Sequence, residues 1–426
     1  MDIVKTFGGI VGKKAPENAE GARKLLLTGY AAQRFMLGAN PDKRLPPSRQ
    51  YVARLVMDEV RSALKHPDDA AAVSLFVPCE PLHVAGITPY SVETLSAFLA
   101  GTQCEQDFLR IAADAGFPET LCSYHRTFLG ALECGLAPKP AFSVYTNLAC
   151  DGNMITFPHI QKRFDLPTFF IDVPYERSEE SISYVADQMR RMCAFVEEVT
   201  GRQISDAALS ARVAADARTA ASYNRFLDAQ RTRRLPSDMT SEMYAVLVNH
   251  LLLGTPESER FAEMLEAEIA DAPLSDGIRI VWMHLIPNML EPVVDDLSFT
   301  DRAFVTACDL ATDSFTVDFD PDHPFETMAR RLVCCAYNGS VDLRQQRALD
   351  LVKRTNADGV VLFAHWGCKA TLGGAGLISH DLEEAGVPCL VLDGDGCDRS
   401  NTPVGQAATR LDAFLEMLES KREVCA

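Results

Sequence analysis

Three of the thirteen cysteines stand where a folded chain could gather them. Cys122 lies in LCSYHR, Cys150 in TNLACDG and Cys368 in AHWGCK, each bordering an expected strand or helix end. Open α/β sheets collect ligands outside the carboxyl ends of their strands, so loops 28 and 218 residues apart can meet there. Three thiolates around one cavity suit zinc or an iron–sulfur cluster, because soft sulfur matches such metals and is deprotonated by them. Burial as inert small hydrophobes is the competing reading of the same three residues. No two cysteines have C-x₂-C spacing, so any metal site must be assembled from distant loops. Cys79 in FVPCEP and Cys397 in DGDGCDRSN fall near the same rim, whereas Cys193, Cys308, Cys334, Cys335 and Cys389 read as core fillers.

Other polar residues carry a chemical and a structural reading side by side. His365 and Trp366 follow a strand directly, where an imidazole would hydrogen-bond an acyl carbonyl and an indole would pack on a ligand; a satisfied histidine beside a packed aromatic is the plainer alternative. Arg126, next to His125, suits an anion, though a structural ion pair is the commoner use. Glu80 is a candidate acid or base if the fold buries it. Asp393, Asp395 and Asp398 would bind Mg²⁺ or, more commonly, form a hydrogen-bonded turn. The start GGIVGKK misses the P-loop order, with Phe7 and Lys14 at two required positions, so the chain shows no ATP site of its own.

These residues need elements to hold them. Val52, Leu55, Val56, Val60 and Leu64 recur at helical spacing and predict a docking helix. AVSLFV predicts a buried strand from Ala72 to Pro78, and AFSVYTNLAC a second strand to about Asn147. After Cys150, a short helix carrying Ile155, His159 and Ile160 leads to LPTFFIDVP, another strand, in a βαβ pattern. Ser178 is placed to cap a helix with Ile182, Val185, Met189, Met192, Val196 and Val199 on one stripe, and helices continue to about Ala270. Strands resume near Ile278 to Met283, in DGVVLFAH and in GVPCLVLDG, with one crossover helix between the last two. Thr402 and Pro403 predict the start of a closing helix on Val404, Leu411, Phe414, Leu415 and Leu418.

The expected fold is α/β, with two Rossmann-like lobes of parallel-rich sheet linked by a helical segment. Residues 1–70 form an N-terminal helical docking segment, 71–175 the first lobe with Cys122 and Cys150, 176–275 the linking helices, and 276–426 the second lobe with Cys368 and the closing helix. A length of 426 residues accommodates two or three such units. The composition, 47% apolar and 23% charged, is that of a globular protein. A net charge of −18 opposes nonspecific binding to nucleic acid or anionic membrane. With no 18-residue apolar run and no apolar block at the start, a cytoplasmic location is expected.

Taken together, Cys122-Ser123-Tyr124-His125-Arg126, Cys150-Asp151-Gly152 and His365-Trp366-Gly367-Cys368-Lys369 resemble the 2-hydroxyacyl-CoA dehydratase family, which also contains benzoyl-CoA reductase-type subunits. The tail LDGDGCDRSNTPVGQAATRLDAFLEML, with Arg410 and Phe414, and the central YVADQMRRMCAFVEEVTGRQISDAAL extend the likeness over roughly residues 70 to 421. The resemblance implies an oxygen-sensitive lyase component in which Cys122, Cys150 and Cys368 each give one thiolate to a [4Fe-4S] cluster, leaving one iron open. It further implies that a separate ATP-dependent iron–sulfur activator supplies an electron, that the acyl-CoA thioester becomes a ketyl radical anion, and that the 2-hydroxyl leaves to give an enoyl-CoA. His365, and less directly Ser123, would then contact the substrate, and Glu80 lies in a segment similar to the family's proline-glutamate motif. The partners so implied are a 2-hydroxyacyl-CoA substrate, a related dehydratase subunit and the activator. A double-cubane-type or benzoyl-CoA-type reductase, and a non-catalytic electron-transfer or scaffold subunit, are the alternatives.

Overall fold

The computed structural model describes residues 2–287, 290–402 and 404–425. It contains two four-stranded, all-parallel sheets. The first comprises β1 (Ala70–Val73), β2 (Thr88–Ser91), β3 (Phe142–Thr146) and β4 (Thr168–Ile171), in the order β2-β1-β3-β4. The second comprises β5 (Ile278–Met283), β6 (Ala303–Cys308), β7 (Gly359–His365) and β8 (Cys389–Gly394), in the order β6-β5-β7-β8. Strands covered on both faces read as largely apolar runs, and the central β1, β3, β5 and β7 are buried at every residue. The two orders are the same. In each, the chain leaves the first strand to one side and returns to the other, which opens a crevice beyond the carboxyl ends of the first and third strands.

Each sheet has one strand beyond those expected, β2 and β6, and both are edges. TPYS is four residues long and contains Pro89, which removes a backbone donor and suits an edge position. The strand expected from Ala72 to Pro78 is displaced to Ala70–Val73. Beyond it the Val77 N–H turns back to the Ser74 carbonyl at 3.1 Å, and Phe76 packs edge-on against His250 instead of continuing the sheet. A continuous apolar run shows burial without showing where the strand stops.

The helices cover the sheets and join them. Helix Pro47–Lys65 buries Val52, Leu55, Val56, Val60 and Leu64, the stripe expected from its spacing. Its first turn is anchored to the linking helices by the buried Arg49–Glu242 ion pair at 2.7 Å and by the Ser48 N–H on Glu268 at 2.9 Å. Ser178 caps helix Glu179–Thr200 by accepting from the Ser181 N–H, and Gly201 ends it at φ +69°. Helices Asp206–Ala229, Met239–Leu251 and Pro256–Asp271 complete the linking segment. Helix Asn153–Phe164 buries Ile160 but leaves Ile155 43% exposed, and His159 bonds Glu133 at 2.5 Å. The β7–β8 crossover contains two helices, Lys369–Leu372 and Ala375–Glu384. Helix Val404–Cys425 buries Leu411, Phe414, Leu415 and Leu418; Pro403, expected to open it, lies outside the described residues. One connected apolar core includes Val73 and Val144 of the first sheet with Ile280, Trp282 and Val361 of the second, so the lobes are packed as one body. Among the described residues no helix is long and apolar enough to cross a membrane.

Candidate metal centre

Cys122, Cys150 and Cys368 converge. Cys150 follows β3 and Cys368 follows β7, the third strand of each sheet, so the two occupy equivalent positions in the lobes. Cys122 is the residue that opens helix Ser123–Glu133. That helix is stitched to the loop after β8: the Ser123 hydroxyl donates to Asp395 Oδ1 at 2.5 Å, and the Tyr124 hydroxyl donates to the Gly396 carbonyl at 2.9 Å. The β7 loop then passes so near that a Cβ on Gly367 would lie 2.8 Å from both N and Cα of Cys122. Glycine is required there twice over, since its φ is +84°.

Every one of the three sulfurs faces the Nε2 of a histidine. Cys122 Sγ is 3.2 Å from His365, Cys150 Sγ is 3.1 Å from His125, and Cys368 Sγ is 3.5 Å from His284. His125 lies one helical turn beyond Cys122, which links the first two pairs, and a Cβ on Gly152 would press on its ring at 2.7 Å. His284 follows β5 and pairs with a cysteine after β7, so this contact spans the crevice of the second sheet. Its φ of +77° is unusual for a bulky residue and is held by its N–H, which donates to Asp309 Oδ1 at 2.7 Å.

Burial favours the neutral forms of Cys122, Cys150 and the three histidines. Burial pushes the Cys122 and Cys150 thiols well above their ordinary range, and the neighbouring cysteines push them in the same direction. Burial lowers His125 to about 4 and His284 well below the usual imidazole value. His365 is lowered by burial against the opposing pull of Asp395. Thiols in this state give up their protons when a cation arrives to replace them.

The donor set limits the occupant. A tetrahedral zinc site, with Zn–S near 2.3 Å, would hold its sulfurs about 3.8 Å apart and needs a fourth ligand. A polynuclear iron–sulfur group is held by cysteine thiolates, and the donor set of three cysteines fits it. The one compact group of possible ligands among the described residues, His380, Asp381 and Glu384, is on a helix surface and contains no sulfur.

The remaining candidates are placed as follows. Both ring nitrogens of His365 are taken, Nε2 by Cys122 and Nδ1 by the Gly396 N–H at 3.0 Å, so in this geometry no nitrogen is free for an acyl carbonyl. The Ser123 proton is committed to Asp395. Glu80 is fully buried and bonds Arg331 at 2.5 Å beside the equally buried Asp216. The guanidinium holds Glu80 ionised, and that charge together with burial pushes Asp216 well up. Arg126 donates to the Leu121 carbonyl and faces Asp398 at 3.8 Å, a structural ion pair. Asp395 accepts the Cys397 and Asp398 N–H groups, which makes the acidic stretch a hydrogen-bonded turn. Cys79 and Cys397 are buried, the first against the Val77 carbonyl and the second near Thr127 and the Ser96 carbonyl.

His284 is the site residue that sequence reasoning misses. Its one signal is position: WMHLIP places it directly after β5, as AHWGC places His365 at the end of β7. The contribution of Gly396 to His365 has no signal in residue type, because it is a backbone bond.

Comparison with known proteins agrees in extent with the motifs. The family described as 2-hydroxyglutaryl-CoA dehydratase, D-component, matches residues 74–418. The chain is 23% identical to the (R)-phenyllactyl-CoA dehydratase alpha subunit of Clostridium sporogenes, across 91% of this chain and 100% of that subunit. It is 23% identical to the lactoyl-CoA dehydratase subunit alpha of Anaerotignum propionicum, across 80% and 88%, respectively. Identity to the (R)-2-hydroxyglutaryl-CoA dehydratase subunit alpha of Acidaminococcus fermentans is 22%, across 67% and 62%.

Proposed function

Because the chain belongs to the 2-hydroxyglutaryl-CoA dehydratase D-component family, we propose that it is the subunit of a 2-hydroxyacyl-CoA dehydratase that holds a [4Fe-4S] cluster on Cys122, Cys150 and Cys368. Relationship makes it a dehydratase subunit, and so a lyase. The observation that supports the cluster is the meeting of three thiols from separate loops, each facing a buried histidine. When bound, the cluster supplies the single low-potential electron that lets an acyl-CoA thioester expel its 2-hydroxyl group, chemistry that no side chain offers alone.

The chain's own residues do the rest. Cys122, Cys150 and Cys368 surrender their protons on loading, so assembly is coupled to proton release. Gly367 and Gly152 allow the three loops to close around the centre. Ser123 and Tyr124 bind the two lobes together beside Cys122. His365 is assigned to the Cys122 sulfur in place of the substrate carbonyl, and Glu80, already engaged by Arg331, to support of the fold in place of proton transfer. Lys369, exposed immediately after Cys368, is the cation we assign to the phosphates of coenzyme A. The relatives named above are alpha subunits, which supports a second, related subunit as partner. Since GGIVGKK is not a P-loop, ATP-dependent activation is assigned to a separate protein.

The test is anaerobic purification followed by iron and sulfide quantification and electron paramagnetic resonance, on wild type and on Cys122→Ser, Cys150→Ser, Cys368→Ser and Cys425→Ser. Each of the first three is expected to lose or rearrange the cluster, and the fourth to keep it. Unchanged clusters in all three reject the ligand assignment. Reconstitution with partner and activator, assayed on a panel of 2-hydroxyacyl-CoA thioesters, is expected to give an enoyl-CoA; no substrate-dependent product rejects the dehydratase reading in favour of electron relay.

A further inference from the structure

The pairing of each sulfur with a histidine is not needed to bind iron, for which three thiolates suffice. It points to a second task. The Gly396 N–H donates to Nδ1 of His365, so Nδ1 carries the lone pair and the ring proton resides on Nε2, directed at Cys122 Sγ at 3.2 Å. His125 has the same arrangement: its Nδ1 lies 2.8 Å from the Thr156 hydroxyl, which can donate to it, and its Nε2 lies 3.1 Å from Cys150 Sγ. The third ring, His284, has Nε2 at 3.5 Å from Cys368 Sγ, but no donor reaches its Nδ1, so it does not share this tautomer argument. Three buried rings from three segments thus present the same nitrogen to three sulfurs.

We propose that His125 and His365 are positioning residues that donate Nε2–H hydrogen bonds to Cys150 and Cys122, respectively, and thereby raise the reduction potential of the cluster. The inference rests on the cluster reading above. An N–H aimed at a thiolate draws electron density from the sulfur and favours the reduced, more negative state of the centre; hydrogen bonds to sulfur are among the factors that set iron–sulfur potentials. With two of the three ligands so treated, the shift is shared between Cys122 and Cys150. A proton on Nε2 also argues against His125 and His365 as iron ligands, because the nitrogen facing the site is already occupied.

An anaerobic redox titration followed by electron paramagnetic resonance, on holoprotein, tests this. The midpoint potential is expected to move negative in His365→Leu and His125→Leu, and to return toward wild type in His365→Gln and His125→Gln, which restore an N–H donor. A full iron complement with an unmoved midpoint in the leucine variants overturns the inference. Should a variant fail to hold iron, pulsed measurements on wild type labelled with ¹⁵N-histidine decide: weak couplings transmitted through N–H···S bonds support it. The absence of any histidine coupling, or the strong coupling of a directly bound nitrogen, overturns it. Wild type without iron and sulfide sinks the cluster reading and this inference with it, whereas a cluster whose potential ignores the histidines sinks the inference alone.

Discussion

Gly367 and Cys122 stand so close that the β-carbon of any other residue at 367 would lie 2.8 Å from the Cys122 backbone, on both N and Cα. The contact joins the loop after β7 to the start of a first-lobe helix and determines whether Cys122 and Cys368 can share one centre. Gly367→Ala therefore meets two penalties: a left-handed backbone at φ +84°, costing about 1–2 kcal/mol, and a clash with backbone that cannot swing aside. The expected outcome is a loss of roughly 2–4 kcal/mol of stability and, on the proposed cluster reading, of most of the iron. Wild-type iron content and melting temperature in the variant would refute the close approach.

Gly152→Ala is expected to act more mildly. Its φ is −60°, so no backbone strain arises, and the neighbour at 2.7 Å is the ring of His125, a side chain that can yield. We expect a cost of about 1 kcal/mol, with iron retained and the spectrum of the centre altered as His125 moves off Cys150. Identical spectra for variant and wild type would contradict this.

The buried pair of Glu80 and Arg331 makes a separate prediction. Arg331→Met leaves the Glu80 carboxylate without its partner, which costs about 3–5 kcal/mol for a buried charge. Arg331→Met combined with Glu80→Gln removes the orphaned charge and should recover a large part of that loss in denaturant unfolding. Because Arg331 holds Glu80 below the usual range, the pair's stabilisation is present above the unfolded carboxyl pKa and fades as pH falls through the folded one. A double variant no more stable than Arg331→Met would show that the ion pair is not the cause.

Glu59 supplies the opposite pH signature. Burial, with Glu257 and Asp58 nearby, raises its pKa to about 7. From the ordinary carboxyl value of roughly 4.3 up to that point, the folded state keeps a proton that the unfolded chain has lost, so stability falls as pH rises across this window. Glu59→Gln should thus stabilise the protein by roughly 1–2 kcal/mol at pH 8, after allowance for the partial exposure of the group, and leave it unchanged near pH 4. Thermal melts at the two pH values check the sign; equal effects at both would exclude a raised pKa.

How much of this was legible in residue order can be judged from particular cases. β5 runs from Ile278 to Met283 as its hydrophobic run predicts, and the stripe of Pro47–Lys65 and the Ser178 cap follow from helical period and capping chemistry. Cys122, Cys150 and Cys368 stood out because soft ligands at strand and helix ends carry a chemical meaning that survives without coordinates. β2 did not stand out, because a four-residue edge strand containing Pro89 leaves no apolar run. Sequence by itself therefore determined the lobed α/β plan and the family and singled out three cysteines as candidates, all of which depend on local period or residue type. Tertiary structure alone decided that His284 reaches Cys368, that Gly396 orients His365, and that Glu80 belongs to Arg331. Those relations join residues 84, 31 and 251 positions apart, and a hydrogen bond at that separation is set by how two sheets and a turn pack, which no local pattern encodes.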